Sequence, residues 1–302
     1  VDAPHQSNRA DGGAVPPLIH PNASELMMRT ARFFSLVALV AIAAPAAAQD
    51  SSQDWAERCR RNQWGNDNRQ VHCEVRETRI PARGTVRVDA GQNGGVTVRA
   101  WDGRDVVVRA RIQTNARTAD EAREMARGIR VNTSGTIGAT GPDVSGDGRG
   151  WAVGYEILVP ARTNLDVRTQ NGPIAVERLA GTVQLRAHNG PISLDRMAGD
   201  VNARAQNGPI TVTLGGRRWS GEGLDVETVN GPVTLRMPRG YAAHLESGTV
   251  HGPINAPRGM RPPRREGGRG YRPGGRISTD LNGGGPTIRV VTTNGPVNIQ
   301  EI

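Results

Sequence analysis

From Leu165 onward the chain alternates apolar and polar positions in short runs. Leu165 and Val167, Ile174 and Val176, Val183 and Leu185, Ile192 and Leu194, then Ile210, Val212 and Leu214 are each separated by a polar or small residue. A period of two with one apolar side predicts strands that bury one face. Glycine turns, "LAG" at 179–181 and "MAG" at 197–199, fall midway between Asn-Gly turns, so a turn arrives about every nine residues and the strands are about six long. Upstream, "TVRVDA", "GVTVRAW", "DVVVRARIQT" and "WAVGYEILVP" predict earlier strands, beginning at Gly84. One helix interrupts them: Thr118 and Glu121 form a capping-box pattern, "ADEAREMAR" follows, and Gly128 is placed to end it. Its apolar residues, Ala119, Ala122, Met125 and Ala126, make one modest packing face.

The turns themselves repeat. Asn-Gly-Pro-Ile or Asn-Gly-Pro-Val occurs at Asn171-Gly172, Asn189-Gly190, Asn207-Gly208, Asn230-Gly231 and Asn294-Gly295, with His251-Gly252 as a variant. The intervals are 18, 18, 23, 21 and 43 residues, the last leaving room for two further turns of the beat plus an insertion. Asn93-Gly94 opens a degenerate copy. Asparagine tolerates the left-handed conformation, glycine reaches unusual backbone angles at little cost, and proline fits a sheet only at an edge or at a strand's first residue. The tetrapeptide therefore reads as a corner that launches a new strand. Equal spacing lets the corners stack, with asparagine amides forming a ladder at the strand spacing. The expected fold is all-β: a β-solenoid, or β-helix-like repeat of short strands with two strands per coil and one short α-helix. The alternative is an antiparallel β-meander, because Asn-Gly is also a strong hairpin signal. A single coil buries too few side chains to offset the ordering of eighteen residues, so the coils must fold together.

The ends of the chain bear on compartment. Residues 1–27 carry no periodic pattern and read as an upstream extension. Residues 28–48 have the order of a secretory signal peptide: Arg29 and Arg32, the apolar run "FFSLVALVAIAA", then an Ala-x-Ala site ending at Ala48. The run is shorter than the roughly 20 residues a membrane-spanning helix needs. Gln49 follows the site, so no lipid is expected on the mature N-terminus. Cys59 and Cys73 fall after it and are expected to form a disulfide in an oxidising compartment, the alternative being a metal site with His72. Residues 49–80 are expected to form a disulfide-stapled N-terminal cap, and 81–302 the repeat domain. Export places the protein in the periplasm or at the cell surface.

Charge singles out two features. All 38 basic residues are arginine, and the net charge is +9. An Arg/Gly/Pro-rich insertion at 257–276 contains Arg258, Arg261, Arg264, Arg265, Arg269, Arg272 and Arg276 against one acid, Glu266. It reads either as an arm for an anionic envelope polymer or as a solvated insertion. Tyr271 is its only aromatic, so nucleic acid is not the expected partner. Arg168, Arg186 and Arg204 share one repeat position and are either an anion-binding stripe or solvated surface.

Enzyme signatures are weak. No zinc-protease, serine-hydrolase or phosphate-loop motif occurs. Glu177 and Asp195 occupy equivalent repeat positions, but so does Thr213. Trp101, Trp151, Tyr155 and Trp219 are either sugar platforms or core and cap. Asp143 and Asp147 are too few for a calcium loop. No catalytic residue, metal or cofactor is expected.

The "VTVRAWDGRDVVVRA" stretch (96–110), the short helix at 118–130 and the "LDVRTQNGPI" repeats from Leu165 to Ile299 resemble a family of exported bacterial adhesin-like proteins built from β-strand repeats. The resemblance implies a β-repeat architecture and supplies no catalytic residues. The function expected is a non-enzymatic envelope scaffold or adhesion-like binding module, its partner an anionic envelope polymer or another envelope protein; the alternatives are an anionic-polymer binder and a carbohydrate-active enzyme on a β-helix.

Overall fold

The structure, a computed structural model, describes residues 55–57, 59, 69–144, 148–260 and 274–302. The upstream extension, the signal peptide, Asp147 and five arginines of the insertion (Arg261, Arg264, Arg265, Arg269 and Arg272) lie outside the described residues.

The chain is nearly all β. Its repeat region runs β8 (Asn164–Asn171), β9 (Ile174–Glu177), β10 (Ala180–Asn189), β11 (Ile192–Asp195), β12 (Ala198–Asn207), β13 (Ile210–Thr213), β14 (Gly223–Asn230) and β15 (Val233–Met237). Alternate strands belong to alternate sheets, and each pairs in parallel with the strand one beat away: Val183 faces Leu165 and Val201, and Ile192 faces Ile174 and Ile210. Every ladder between Asn164 and Met237 is parallel, so the hairpins of a meander are not formed there. The inward residues are the alternating apolar set: Leu165, Val167, Val183, Leu185, Ile174, Val176, Ile192 and Leu194 are all buried in one core.

Earlier strands complete the stack: β2 (Thr85–Asp89) lies beside β8, and β3 (Val96–Trp101) beside β9. β7 (Gly150–Pro160) pairs in parallel with β3, and beyond it the pairing becomes antiparallel, with β4 (Asp105–Ala116) on β7 and β1 (Gln70–Pro81) on β4. β5 (Arg130–Asn132) and β6 (Thr136–Thr140) close the same end of the other sheet. At the opposite end stand β16 (Ala243–His251), β17 (Ile254–Asn255), β18 (Gly275–Leu281), β19 (Thr287–Asn294) and β20 (Val297–Glu301). The first sheet has the order β1-β4-β7-β3-β9-β11-β13-β15-β20-β17, and the second β18-β16-β19-β14-β12-β10-β8-β2-β6-β5.

Four expectations are corrected. The 43-residue interval is not two more turns of the beat: the final coil, β19 and β20, is inserted between β14/β15 and β16/β17, which precede it in sequence. Strands begin at Gln70, inside the expected cap, because β1 pairs along its whole length with β4. The helix α1 (Ala119–Gly128) has its capping box, with Thr118 Oγ1 accepting from Glu121 N at 3.2 Å. It ends at Gly128 as expected, but that glycine is not left-handed. The Arg76 guanidinium donates to the carbonyls of Ile129 (2.5 Å) and Ala126 (2.7 Å), satisfying the acceptors exposed at that helix end.

The fourth correction concerns the corners. None of the ladder asparagines has positive φ. Of the corner glycines, Gly231 and Gly295 do take positive φ (152° and 153°), and glycine is also required by close approach: a Cβ on Gly190 would lie 2.2 Å from the Gly172 carbonyl oxygen, and one on Gly208 the same distance from that of Gly190. Cys59 and Cys73 are disulfide-bonded with their Cα atoms 6.2 Å apart, which removes the metal alternative at His72. No helix among the described residues is long and apolar enough to cross a membrane.

Candidate functional site

The stacking of identical corners places identical side chains side by side. Asn171 Nδ2 donates to Asn93 Oδ1 at 3.3 Å, Asn189 to Asn171 at 2.8 Å, Asn207 to Asn189 at 2.9 Å, Asn230 to Asn207 at 2.8 Å and Asn294 to Asn230 at 2.8 Å. His251 pairs in register with Asn294 at the far end. Beside each corner, Gly172, Gly190, Gly208, Gly231, Gly252 and Gly295 are the points of close backbone approach between coils. All donors point the same way, so the amide dipoles add along the stack.

The corners also set the register of the outer face of the second sheet. One row across it reads Asp89, Arg168, Arg186, Arg204, Glu227. The next reads Arg87, Asp166, Gln184, Asn202, Asp225, Arg289, Glu246. The three arginines expected in one row are therefore adjacent. Their charge is offset within the face, because the five arginines of the two rows stand among five carboxylates. Arg204 pairs with Asp225 at 2.5 Å and Arg289 with the same carboxylate at 2.6 Å. Arg168 and Arg186 approach Asp166 at 3.6 and 3.7 Å. Burial pushes the Asp225 carboxyl up, but the hydrogen bonds from Arg204 and Arg289 outweigh it and hold the group below its ordinary value.

A shallow groove of about 420 Å³ runs over the arginine row, lined also by His188, Gln206 and Val229. Val229 and Val250 are 41% and 56% exposed near the β16 end of this face. Arg258, just after β17, and Arg276, on β18, are the insertion's first and last arginines and lie at that same end of the stack.

The remaining candidates separate. Glu177 and Asp195 are neighbours across a ladder, not opposed across a cleft; Glu177 pairs with Arg99 at 3.2 Å and Asp195 with Arg196 at 2.8 Å. Trp219 is buried, donating to the Gly199 carbonyl, and Trp101 donates to the Asp105 carbonyl at its own turn. Trp151 and Tyr155 are brought together and line one cavity. Among the described residues no group of three or more His, Cys, Asp or Glu is placed to hold a metal ion.

One cluster escaped the sequence reading. Buried Glu156 on β7 receives Arg111 at 2.6 Å and Arg99 at 3.3 Å, with Arg109 at 3.7 Å, and Arg109 also reaches Glu77 at 2.9 Å. The pairs span β1, β4, β7 and β3 where the sheet changes from antiparallel to parallel. The Arg111 guanidinium lies 5.7 Å from the Trp55 ring. In the sequence it shows only as Arg109 and Arg111 set within the apolar run "VVVRARIQT", a strand that the fold buries on both faces.

No family model matches the chain, and no curated protein does. Among solved structures it is similar to the "putative cell adhesion protein" of Clostridium sporogenes, at 10% identity over 76% of this chain and 100% of that one, with a TM-score of 0.41. It is also similar to a "putative adhesin" of Bacteroides fragilis, at 13% identity over 76% and 97% with a TM-score of 0.29. A third similar structure, of the same description, is from Parabacteroides distasonis, at 8% identity over 74% and 97% with a TM-score of 0.28.

Proposed function

We propose that the chain is an exported, non-enzymatic binding module of the bacterial cell envelope, with the repeat stack as its rigid mount. The observation that carries this reading is the register of the stack. Ladder bonds between corners hold equivalent positions side by side, so the outer face of the second sheet presents equivalent side-chain positions at each strand spacing, roughly 4.8 Å, with Arg168, Arg186 and Arg204 adjacent in one row. Such a face suits an extended partner with a repeat of its own. The Cys59–Cys73 bridge fits an oxidising compartment, and residues 28–48 supply the export signal in this reading.

A specific observation favours an anionic polymer as the partner. The rows on the sheet cancel in charge, whereas residues 257–276 hold seven arginines and one acid. The surplus positive charge of the protein is thus concentrated in that segment. Its attraction to a polyanion falls steeply with salt.

The test is a salt titration of binding to the cells' own envelope fraction. It compares a chain beginning at Gln49 with the same chain lacking 257–275, and with the triple variant Arg168→Gln, Arg186→Gln, Arg204→Gln. Salt-sensitive binding that the deletion abolishes and the triple variant retains is the expected result. Equal binding by intact and deleted chains removes the segment from the mechanism. If no form binds the envelope fraction at low salt, the binding-module reading itself fails.

A further inference from the structure

The ladder has a chemically distinct end. Every rung donates toward the N-terminal coil, so Asn93 accepts from Asn171 and its own Nδ2 has no further asparagine to donate to. Asn93 borders a cavity of about 370 Å³ whose walls include Trp151, Val153 and Tyr155. The indole of Trp151 is fixed: its N–H donates to the Pro142 carbonyl at 3.0 Å, and Gly141 packs so closely behind the ring that a Cβ there would come within 2.7 Å of it. Tyr155 is 3% exposed and lines the same cavity. Burial and then the nearby Asp89 carboxylate push its phenol up, so it stays a donor across the physiological range. A phenol on a cavity wall is a donor that a ligand acceptor can engage.

Across the Gly91–Gln92 turn the cavity adjoins a more open groove of about 560 Å³, lined by Asp89, Gln92, Arg168, Gln170 and Asn171. An aromatic wall carrying the Tyr155 hydroxyl thus continues into a strip of side-chain amides. Pyranose rings match both halves. Their C–H faces pack on aromatic rings, and their hydroxyls both donate to and accept from amide groups.

The geometry points to a binding site for a short neutral oligosaccharide, one ring seated against Trp151 and Tyr155 and the next lying over Gln92, Gln170 and Asn171. The site is at the β2/β3 end of the stack, opposite the end that carries the arginine segment, and does not depend on it.

The intact protein is titrated calorimetrically with neutral tetrasaccharides built from glucose, galactose, mannose or N-acetylglucosamine units, and separately with myristate. Binding of at least one tetrasaccharide is expected, weakened about ten-fold or more by Tyr155→Phe and by the exposed double change Gln92→Ala, Gln170→Ala. The deletion of 257–275 leaves it unchanged. The proposal is overturned if no tetrasaccharide binds at millimolar concentration, or if binding survives both variants. It is also overturned if myristate binds in their place, which would make the cavity an acyl site. Unchanged melting of the exposed double variant separates loss of binding from loss of fold.

Discussion

The Asn294 side chain donates to Asn230 at 2.8 Å although the two are 64 residues apart, and β16 of the intervening chain lies on the far side of Asn294. The last coil is therefore a wedge. Until it arrives, β14 and β16 are separated by a full strand position, roughly twice 4.8 Å, too far to hydrogen bond. Ending the chain after Gly285 is expected to release β16–β18 while leaving β8–β13 protected. Hydrogen exchange resolved by segment reads this directly. Retained protection over 243–251 would show that those strands dock without the wedge.

The corner glycines give a sharper test. A methyl group on Gly190 would meet a backbone oxygen, which cannot turn aside as a side chain can. Gly190→Ala is expected to cost about 3 kcal/mol as the coils are forced apart. Gly216→Ala, at an open turn with φ of +73°, meets no atom and should cost less, through backbone strain alone. Chemical denaturation of the two variants compares them, and equal losses would refute the close-approach account.

Much of this was legible in the chain. Three identical corners at an 18-residue beat encode neighbouring rungs, and the alternation from Leu165 to Leu214 encodes the buried face. Lateral order was not legible, because "TNGPV" at 293–297 fits any rung of the ladder and nothing local assigns it a place between Asn230 and His251. β1 was missed because Glu74 and Arg76 occupy positions of its core-facing parity. There they serve the edge: Arg76 reaches the end of α1 and pairs with Glu74. Trp151 and Tyr155 were visible as aromatics, but their pairing over one cavity depends on the Asp89–Asn93 turn folding beside β7.

A stabilising change follows from a gap in the repeat. Two residues before the corner asparagine, Thr169, Thr228, Thr249 and Thr292 each donate a hydroxyl to the corner glycine carbonyl of the adjacent coil, at 2.7, 2.9, 2.8 and 2.8 Å. Ala187 and Ala205 occupy the same position beside the Gly172 and Gly190 carbonyls. Ala187→Thr and Ala205→Thr are each expected to add about 1 kcal/mol. Thr228→Val should remove about as much. A lower denaturation midpoint for both alanine variants would mean that the coil spacing there leaves no room for the larger side chain.

Asp225 makes the charged face sensitive to acid. Its carboxyl is held below the ordinary value because, against the cost of burial, Arg204 and Arg289 favour the ionised form. A group with a depressed folded pKa stabilises the protein above its unfolded pKa, near 4 for aspartate, and loses that contribution as the pH falls through the folded value. The stabilisation is therefore fully present at pH 7 and declines below about pH 4. Both arginines are about one-third exposed, so solvent screening limits the effect to about 1 kcal/mol or less. Asp225→Asn is expected to melt below the parent protein at pH 7, with the gap closing as the pH drops toward 3. Thermal melts at low salt over that range test the sign. A gap that widens in acid would show that the arginines do not hold the carboxylate ionised, and that the two rows of the sheet face are not locked by this pairing.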